Sequence, residues 1–204
     1  MILDFANLTK GQAYQVMTHC IIPRPVAWIL TENENGSHNL APYSYFQAIG
    51  SEPPTVMVSM GFKPGGVKKD TLINIERNQH YVIHIANCEL ADAVNLSAKP
   101  ITYNESEVEL CGLQTEAVDG WPLPRIQQAP VAFHCRLIQV DLISGMSVVY
   151  GEILHAWIDD NILAPAPIPN VPELPQADKL NPLARLGYMS YASLGEIFER
   201  ERPK

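Results

Sequence analysis

Alternation of apolar and polar positions is clearest in VAFHCRLIQVDLI (131–143), where Val131, Phe133, Cys135 and Leu137 fall on one side of an extended chain. SGMS (144–147) has turn chemistry and VVYGEILHAWID (148–159) runs back as a partner, so the two segments predict a long β-hairpin. Upstream, VAWIL (26–30), TENENGS (31–37) and HNLAPYSYF (38–46) read as strand, turn and strand, with Asn35-Gly36 supplying the left-handed conformations of a tight connection. Pro42 makes the second of these strands irregular or exposed at that point. TVMVSM (55–60) and HYVIHIAN (80–87) predict further strands. Helical spacing is confined to two short stretches. In TLINIERN (71–78), Leu72, Ile73 and Ile75 supply the buried side, with Asp70 or Thr71 as cap. In ELADAVNLSA (89–98), Leu90, Ala91 and Val94 share a face, Asn87 is the expected cap, and the helix should stop before Pro100.

Proline organises what remains. In IIPRPVAWI (21–29), Pro23 and Pro25 remove backbone donors and stiffen the chain around Arg24, so sheet pairing is expected only from Val26 onward. Arg24 is then either a solvated residue on a rigid segment or a planar cation aimed at an anion. APAPIPNVPELPQADKLNP (164–182) carries six prolines and predicts an extended arm across the surface, forming neither helix nor central strand. Residues 101–121 read mostly as loop, and the last stretch, from Leu183, as part loop and part helix. Strands in hairpins with two inserted short helices predict a mainly β chain, an antiparallel barrel rather than a wound βαβ sheet. With no internal repeat or composition break, 1–204 reads as a single domain.

Composition narrows the partners. A net charge of −8 excludes a nucleic-acid backbone as the main partner, since counterion displacement needs clustered Lys and Arg. No apolar run approaches the roughly 20 residues of a membrane helix, and MILDFANLTK lacks the basic and apolar regions of a secretory signal, so a cytoplasmic location without membrane contact is expected. Cys20, Cys88, Cys111 and Cys135 form no C-x-x-C pair and are expected to be reduced core thiols. His84 and His155 lie within strand patterns and His134 adjoins Cys135 on the opposite strand face, which is a poor chelate, so structural histidines and no metal are expected.

The loop after TVMVSM, GFKPGGVKKD (61–70), is the best anion candidate: Ser59, Lys63, Gly65, Gly66, Lys68, Lys69 and Thr71 surround the start of a helix, where free N–H groups and the dipole attract phosphate. A true P-loop is excluded, because Val67 follows the last glycine and Asp70 separates Lys69 from Thr71. The irregular strand NLAPYSYF offers Asn39, Tyr43, Ser44 and Tyr45 beside backbone groups that Pro42 leaves unpaired, suited to the edge of a flat heterocycle or simply to a bulged edge strand. There is no G-x-G-x-x-G and no G-x-S-x-G.

The order of these pieces, IIPRPVAWI, NLAPYSYF, SEPPTVMVSM, KKDTLINI, YVIHIANCELADAVNLSA, APVAFHCRLIQV, VVYGEILHAWIDD and LARLGYMSY, resembles the flavin reductase-like proteins, the FMN-binding split-barrel family that includes flavoredoxin. The resemblance runs from about residue 10 to 195. It implies a homodimeric antiparallel split β-barrel of Greek-key type that binds FMN noncovalently near the subunit interface. Asn39, Ala41, Pro42, Tyr43 and Ser44 would contact the isoalloxazine, Ser59, Lys69, Asp70 and Thr71 would hold the phosphate end, and Arg24, Pro25 and Arg185 would be further flavin-side residues. The implied activity is an NAD(P)H:flavin oxidoreductase that passes electrons through bound FMN to an acceptor. Members often carry Asn where His84 stands, a paired glycine where Gly187-Tyr188 stands, and Gly-Asp-His where this hairpin reads Ser144-Gly145-Met146. The last departure removes the residue usually linked to nicotinamide binding. It keeps open an alternative, a flavoredoxin-like FMN carrier reduced by a protein partner. A flavin-free ligand-binding barrel is disfavoured by the intact phosphate turn.

Overall fold

A computed structural model of the chain describes residues 1–166, 169–201 and 203. Seven strands form one antiparallel sheet: β1 (Ala27–Glu32), β2 (His38–Tyr43), β3 (Phe46–Ser51), β4 (Pro54–Met60), β5 (His80–Ile85), β6 (Val131–Ile143) and β7 (Met146–Ile158). Their spatial order is β2-β1-β5-β6-β7-β4-β3. The anticipated long hairpin is β6–β7, turning at Ser144 and Gly145, both with positive φ.

HNLAPYSYF is not one strand. It divides at Ser44-Tyr45 into β2 and β3, which are the two edges of the sheet. Laid flat, seven strands would hold their edges about 29 Å apart at the usual spacing of about 4.8 Å. Three Cα steps from Tyr43 to Phe46 reach at most about 11 Å. The sheet must therefore curl until its edges nearly meet. Among the described residues no ladder joins β2 to β3, so the expected barrel is an open, curled sheet rather than a closed cylinder. The Ser59 N–H, bonded to the Tyr45 carbonyl at 2.8 Å, ties the link to β4.

β1 explains how this sheet packs. Ala27 to Leu30 are all fully buried because both faces of the strand are covered. Ala27 and Ile29 join Val58, Met60, Leu72, Ile75, Tyr81 and Ile83 in one cluster, while Trp28 and Leu30 join Leu40, Val82, Val94 and Val108 in another. The first cluster seats α2 (Asp70–Asn78); the second seats α3 (Ala91–Leu96) and α4 (Glu107–Leu110). The Trp28 indole N–H donates to the Ser97 hydroxyl at 2.9 Å just beyond α3. Beneath it, the fully buried His84 donates from Nδ1 to the Trp28 carbonyl at 3.0 Å and accepts the Ile126 N–H on Nε2 at 2.9 Å. Burial pushes this imidazole down to about 4, so it is neutral and structural.

Several sequence expectations need correction. α1 (Lys10–Cys20) was not anticipated, because it buries only Thr18 and so carries almost no apolar stripe; its signal is the capping box of Thr9 and Gln12. Neither Asp70 nor Thr71 caps α2: the cap position is Lys69, without a side-chain bond, and Ile73 is only half-buried where Thr71 and Asn74 are buried. Asn87 precedes a 3₁₀ turn (Cys88–Leu90) rather than capping α3 directly, and its side chain makes no cap bond. Pairing begins before Val26, since Arg24 and Pro25 form a small separate ladder with Ala184 and Arg185, which also pair with Tyr191 and Ala192. The proline-rich arm contains α5 (Ala177–Leu180) and a two-residue ladder, Leu163–Ala164 with Leu174–Pro175; residues 167 and 168 of the arm lie outside the described residues. It returns to the chain's own sheet, with the Cys88 N–H on the Asn181 carbonyl and the Leu183 N–H on Ala86. No helix follows among the described residues after Ala192. Of the four free thiols only Cys135 is buried, and Cys20 is exposed.

Gly151 in β7 faces the buried Tyr81, whose hydroxyl has no hydrogen-bond partner among the described residues, and a Cβ there would overlap that hydroxyl. Gly151→Ala is expected to cost about 1–3 kcal/mol in a urea titration. Adding Tyr81→Phe, which removes the colliding and unsatisfied oxygen, should recover part of that loss.

Candidate functional site

The edge strand β2 forms the floor of a groove. At one end Asn39, Ala41, Pro42 and Tyr43 face Lys63, Lys69, Asp70, Thr71 and Glu107; further along, Pro42, Tyr43 and Ser44 meet Tyr14, Arg185 and Tyr191. At the far end Ser44 and Tyr45 meet Ser59 and Met146. Pro42 and Tyr43 are common to all three stretches, so the groove is continuous. The structure brings all twelve predicted residues together: ten line this groove, and Arg24 and Pro25 border Ser44 and Ser59 at its far mouth. Asn39 and Thr71 contribute from its buried base, 3% and 1% exposed.

The Lys69 end is built around one hydroxyl. Thr71 Oγ1 accepts from Asn39 Nδ2 at 2.9 Å and from the Tyr43 hydroxyl at 2.9 Å. Asn39 also reaches Thr31, and Asn74 links Thr31 to Asn33, so a buried polar chain joins α2 to β1 and β2. Burial holds the Tyr43 phenol far above its usual range, so it remains a donor. Between the Tyr43 and Thr71 hydroxyls only one O–H is used, which leaves one O–H at the cavity wall for an acceptor.

The charges there are unequal in freedom. Lys63 is clamped by both Asp70 carboxylate oxygens, at 2.6 and 2.7 Å, and Lys68 is held by Glu76. Lys69 lines the cavity and makes no ion pair among the described residues. Because α2 lacks a side-chain cap, the Asp70 and Thr71 N–H groups have no partner among the described residues, while the Leu72 N–H turns back to the Lys69 carbonyl. A free cation, an uncapped helix start and a spare hydroxyl suit a phosphate, and the groove leading from them has room for a longer, flat group.

Ser59 is not at this end. It sits with Ser44, Tyr45 and Met146, apart from the Lys69–Thr71 turn with which it was grouped. Arg24 is 6% exposed and spends most of its fork internally: Nη1 donates to the Thr18 and Ile21 carbonyls, Nη2 to Leu186, and Nε to the Ser44 hydroxyl at 3.3 Å. It thus pins the end of α1 and orients Ser44, with one N–H left over. Arg185 likewise donates to the Ser190 and Tyr188 carbonyls and stacks over Tyr191. Sequence reasoning missed Tyr14, hidden in the unanticipated α1, and Glu107, hidden in a stretch read as loop; the Ser106 N-cap was the available signal for the second. His134 is buried between His80 and His155, with a ring nitrogen 3.0 Å from one and 3.3 Å from the other, so its nitrogens are spent on neighbours. Among the described residues no three His, Cys, Asp or Glu groups are placed to share a metal ion.

A family model for the flavin reductase like domain matches residues 17–172, and the chain belongs to that family. It is similar to nitrilotriacetate monooxygenase component B from Bacillus cereus, with 28% identity, a TM-score of 0.90 and 98% of each chain covered. It is also similar to the 2-nitrobenzoate 2-nitroreductase NbaA of Pseudomonas fluorescens, with 27% identity, a TM-score of 0.87, and 100% of this chain and 96% of that one covered. The flavoredoxin of Desulfovibrio vulgaris (Miyazaki F) shares the fold, with 18% identity, a TM-score of 0.76, and 98% of this chain and 97% of that one covered.

Thr71→Val, which keeps the side-chain shape but strands the Asn39 and Tyr43 donors, is expected to lower stability by about 1–3 kcal/mol in urea denaturation. Thr71→Ser retains the oxygen and should cost about 1 kcal/mol or less.

Proposed function

We propose that the chain is a split-barrel oxidoreductase that binds FMN noncovalently along the β2 groove and passes electrons from NAD(P)H to an acceptor. The observation that carries this reading is the unpaired Lys69 beside the uncapped start of α2, at one end of a groove floored by Asn39–Ser44. Lys69, the open N–H groups of α2 and the spare hydroxyl of the Tyr43–Thr71 pair would hold the phosphate. Asp70 serves this site indirectly by fixing Lys63. Ala41, Pro42, Tyr43 and Ser44 would lie along the flavin's polar edge, with Pro42 interrupting backbone pairing there. Ser59, Arg185 and the Arg24-oriented Ser44 would border the ring end. Bound FMN supplies the redox chemistry, so no side chain has to act as acid or base. A homodimer with the groove near its interface belongs to the same proposal.

A second reading, a flavoredoxin-like FMN carrier reduced by a protein partner, is favoured by one feature: Met146 stands at the ring end of the groove where the family often has the histidine of Gly-Asp-His.

The purified chain is expected to be yellow, or to become so with added FMN, and to release FMN on denaturation. A colourless chain that ignores FMN contradicts both readings. Anaerobic mixing with NADH or NADPH should then bleach the flavin rapidly; bleaching only by dithionite or a reduced protein would select the carrier.

A further inference from the structure

The cavity at the phosphate end contains a carboxyl group that the proposed function leaves unused. Glu107 opens α4 and is 6% exposed, with Oε2 accepting the edge N–H of Leu40 in β2 at 2.9 Å. It lines the same cavity as Lys63, Lys69, Lys99, Asp70, Thr71 and Tyr43. Three cations therefore face two carboxylates, and Lys63 is already committed to Asp70. The other titratable groups near Glu107 are Glu109 on its own helix, Cys111 just past that helix, and His38 on β2, whose carbonyl accepts from Ser106.

Resting on the FMN reading of this groove, we propose that Glu107 couples anion binding to proton uptake: the cofactor phosphate enters together with one proton from solvent, which settles on the Glu107 carboxyl. An ionised Glu107, itself only 6% exposed and so poorly screened by water, would place a second anion in the cavity that receives the phosphate. Protonation removes that repulsion and keeps the other oxygen as acceptor for Leu40. Burial, with Asp70 adding to it, already holds this carboxyl above its ordinary range, against the opposing pull of the backbone bonds and Lys63. A bound phosphate pushes it further the same way, so the proton is taken up on binding and affinity falls as pH rises through the free-state value. A carboxyl raised in the folded state stabilises the fold at acid pH, below its unfolded value, and loses that contribution as pH rises through the folded one.

The test is fluorescence titration of FMN from pH 5 to 8 with the native chain and Glu107→Gln, whose amide oxygen can still accept from Leu40. Ionisation of the FMN phosphate near pH 6 is common to both chains and cancels in the ratio. Glu107→Gln is expected to bind about tenfold tighter at pH 8, with the ratio falling toward one at pH 5, and to melt higher than the native chain at pH 8 but not at pH 5. Calorimetry of the native chain at pH 8, where the FMN phosphate is already ionised both free and bound, in two buffers of different ionisation enthalpy adds a readout that needs no variant: protons are taken up with FMN and fewer with riboflavin, which lacks the phosphate. A ratio that does not change with pH, or equal proton uptake with the two flavins, would overturn the role of Glu107 while leaving the flavin site standing. Failure of the native chain to bind FMN at any pH would overturn both.

Discussion

Two residues, Ser44 and Tyr45, join the two edges of a seven-stranded sheet, and most of the architecture follows from that short tether. A link of this length forces the sheet to curl, and the missing ladder between β2 and β3 leaves β2 as an edge whose outer polar groups need partners. Some of those partners are internal: Glu107 takes the Leu40 N–H and Arg24 holds the Ser44 hydroxyl. The rest of the edge lines the groove. An open edge would normally invite unwanted pairing, and here Pro42 and the surrounding helices prevent a full extra strand from adding.

The groove's chemistry comes from a division of labour among similar residues. Of the lysines near α2, Lys63 and Lys68 are neutralised by Asp70 and Glu76, and Lys69 is left free. The N-cap position falls on Lys69, whose ammonium has no acceptor, while Asp70 and Thr71 lie inside the first turn and are engaged by Lys63 and by Asn39 with Tyr43, so the helix start stays uncapped. A cap is worth about 1 kcal/mol, and forgoing it keeps N–H groups available to a ligand. Glu107 adds an opposing charge whose protonation state decides how strongly that end attracts an anion.

Much of the fold was legible because its signals are local. Alternation marked β6, turn chemistry at Ser144–Ser147 marked β7 as its partner, and Asn35-Gly36 marked the β1–β2 turn. What escaped depends on contacts distant in sequence. α1 buries almost nothing, so it has no stripe to detect, and the capping box of Thr9 and Gln12 that could have marked it went unread. β3, with FQAIGS mostly exposed, lacks an apolar side. Residue types likewise located the Lys69–Thr71 turn, but only three-dimensional placement separated Ser59 from it and revealed that Arg24 is occupied by three backbone carbonyls and Ser44.

The central claim is that the Lys69 end of the groove receives a phosphate. Its most direct test compares FMN with riboflavin, identical but for the phosphate, by fluorescence titration of the native chain and Lys69→Ala. The account predicts that the native chain prefers FMN by at least tenfold and that Lys69→Ala loses most of this preference while binding riboflavin as before, in keeping with about 1.5–3 kcal/mol for a charged hydrogen bond. Equal affinity for the two flavins in the native chain would contradict it.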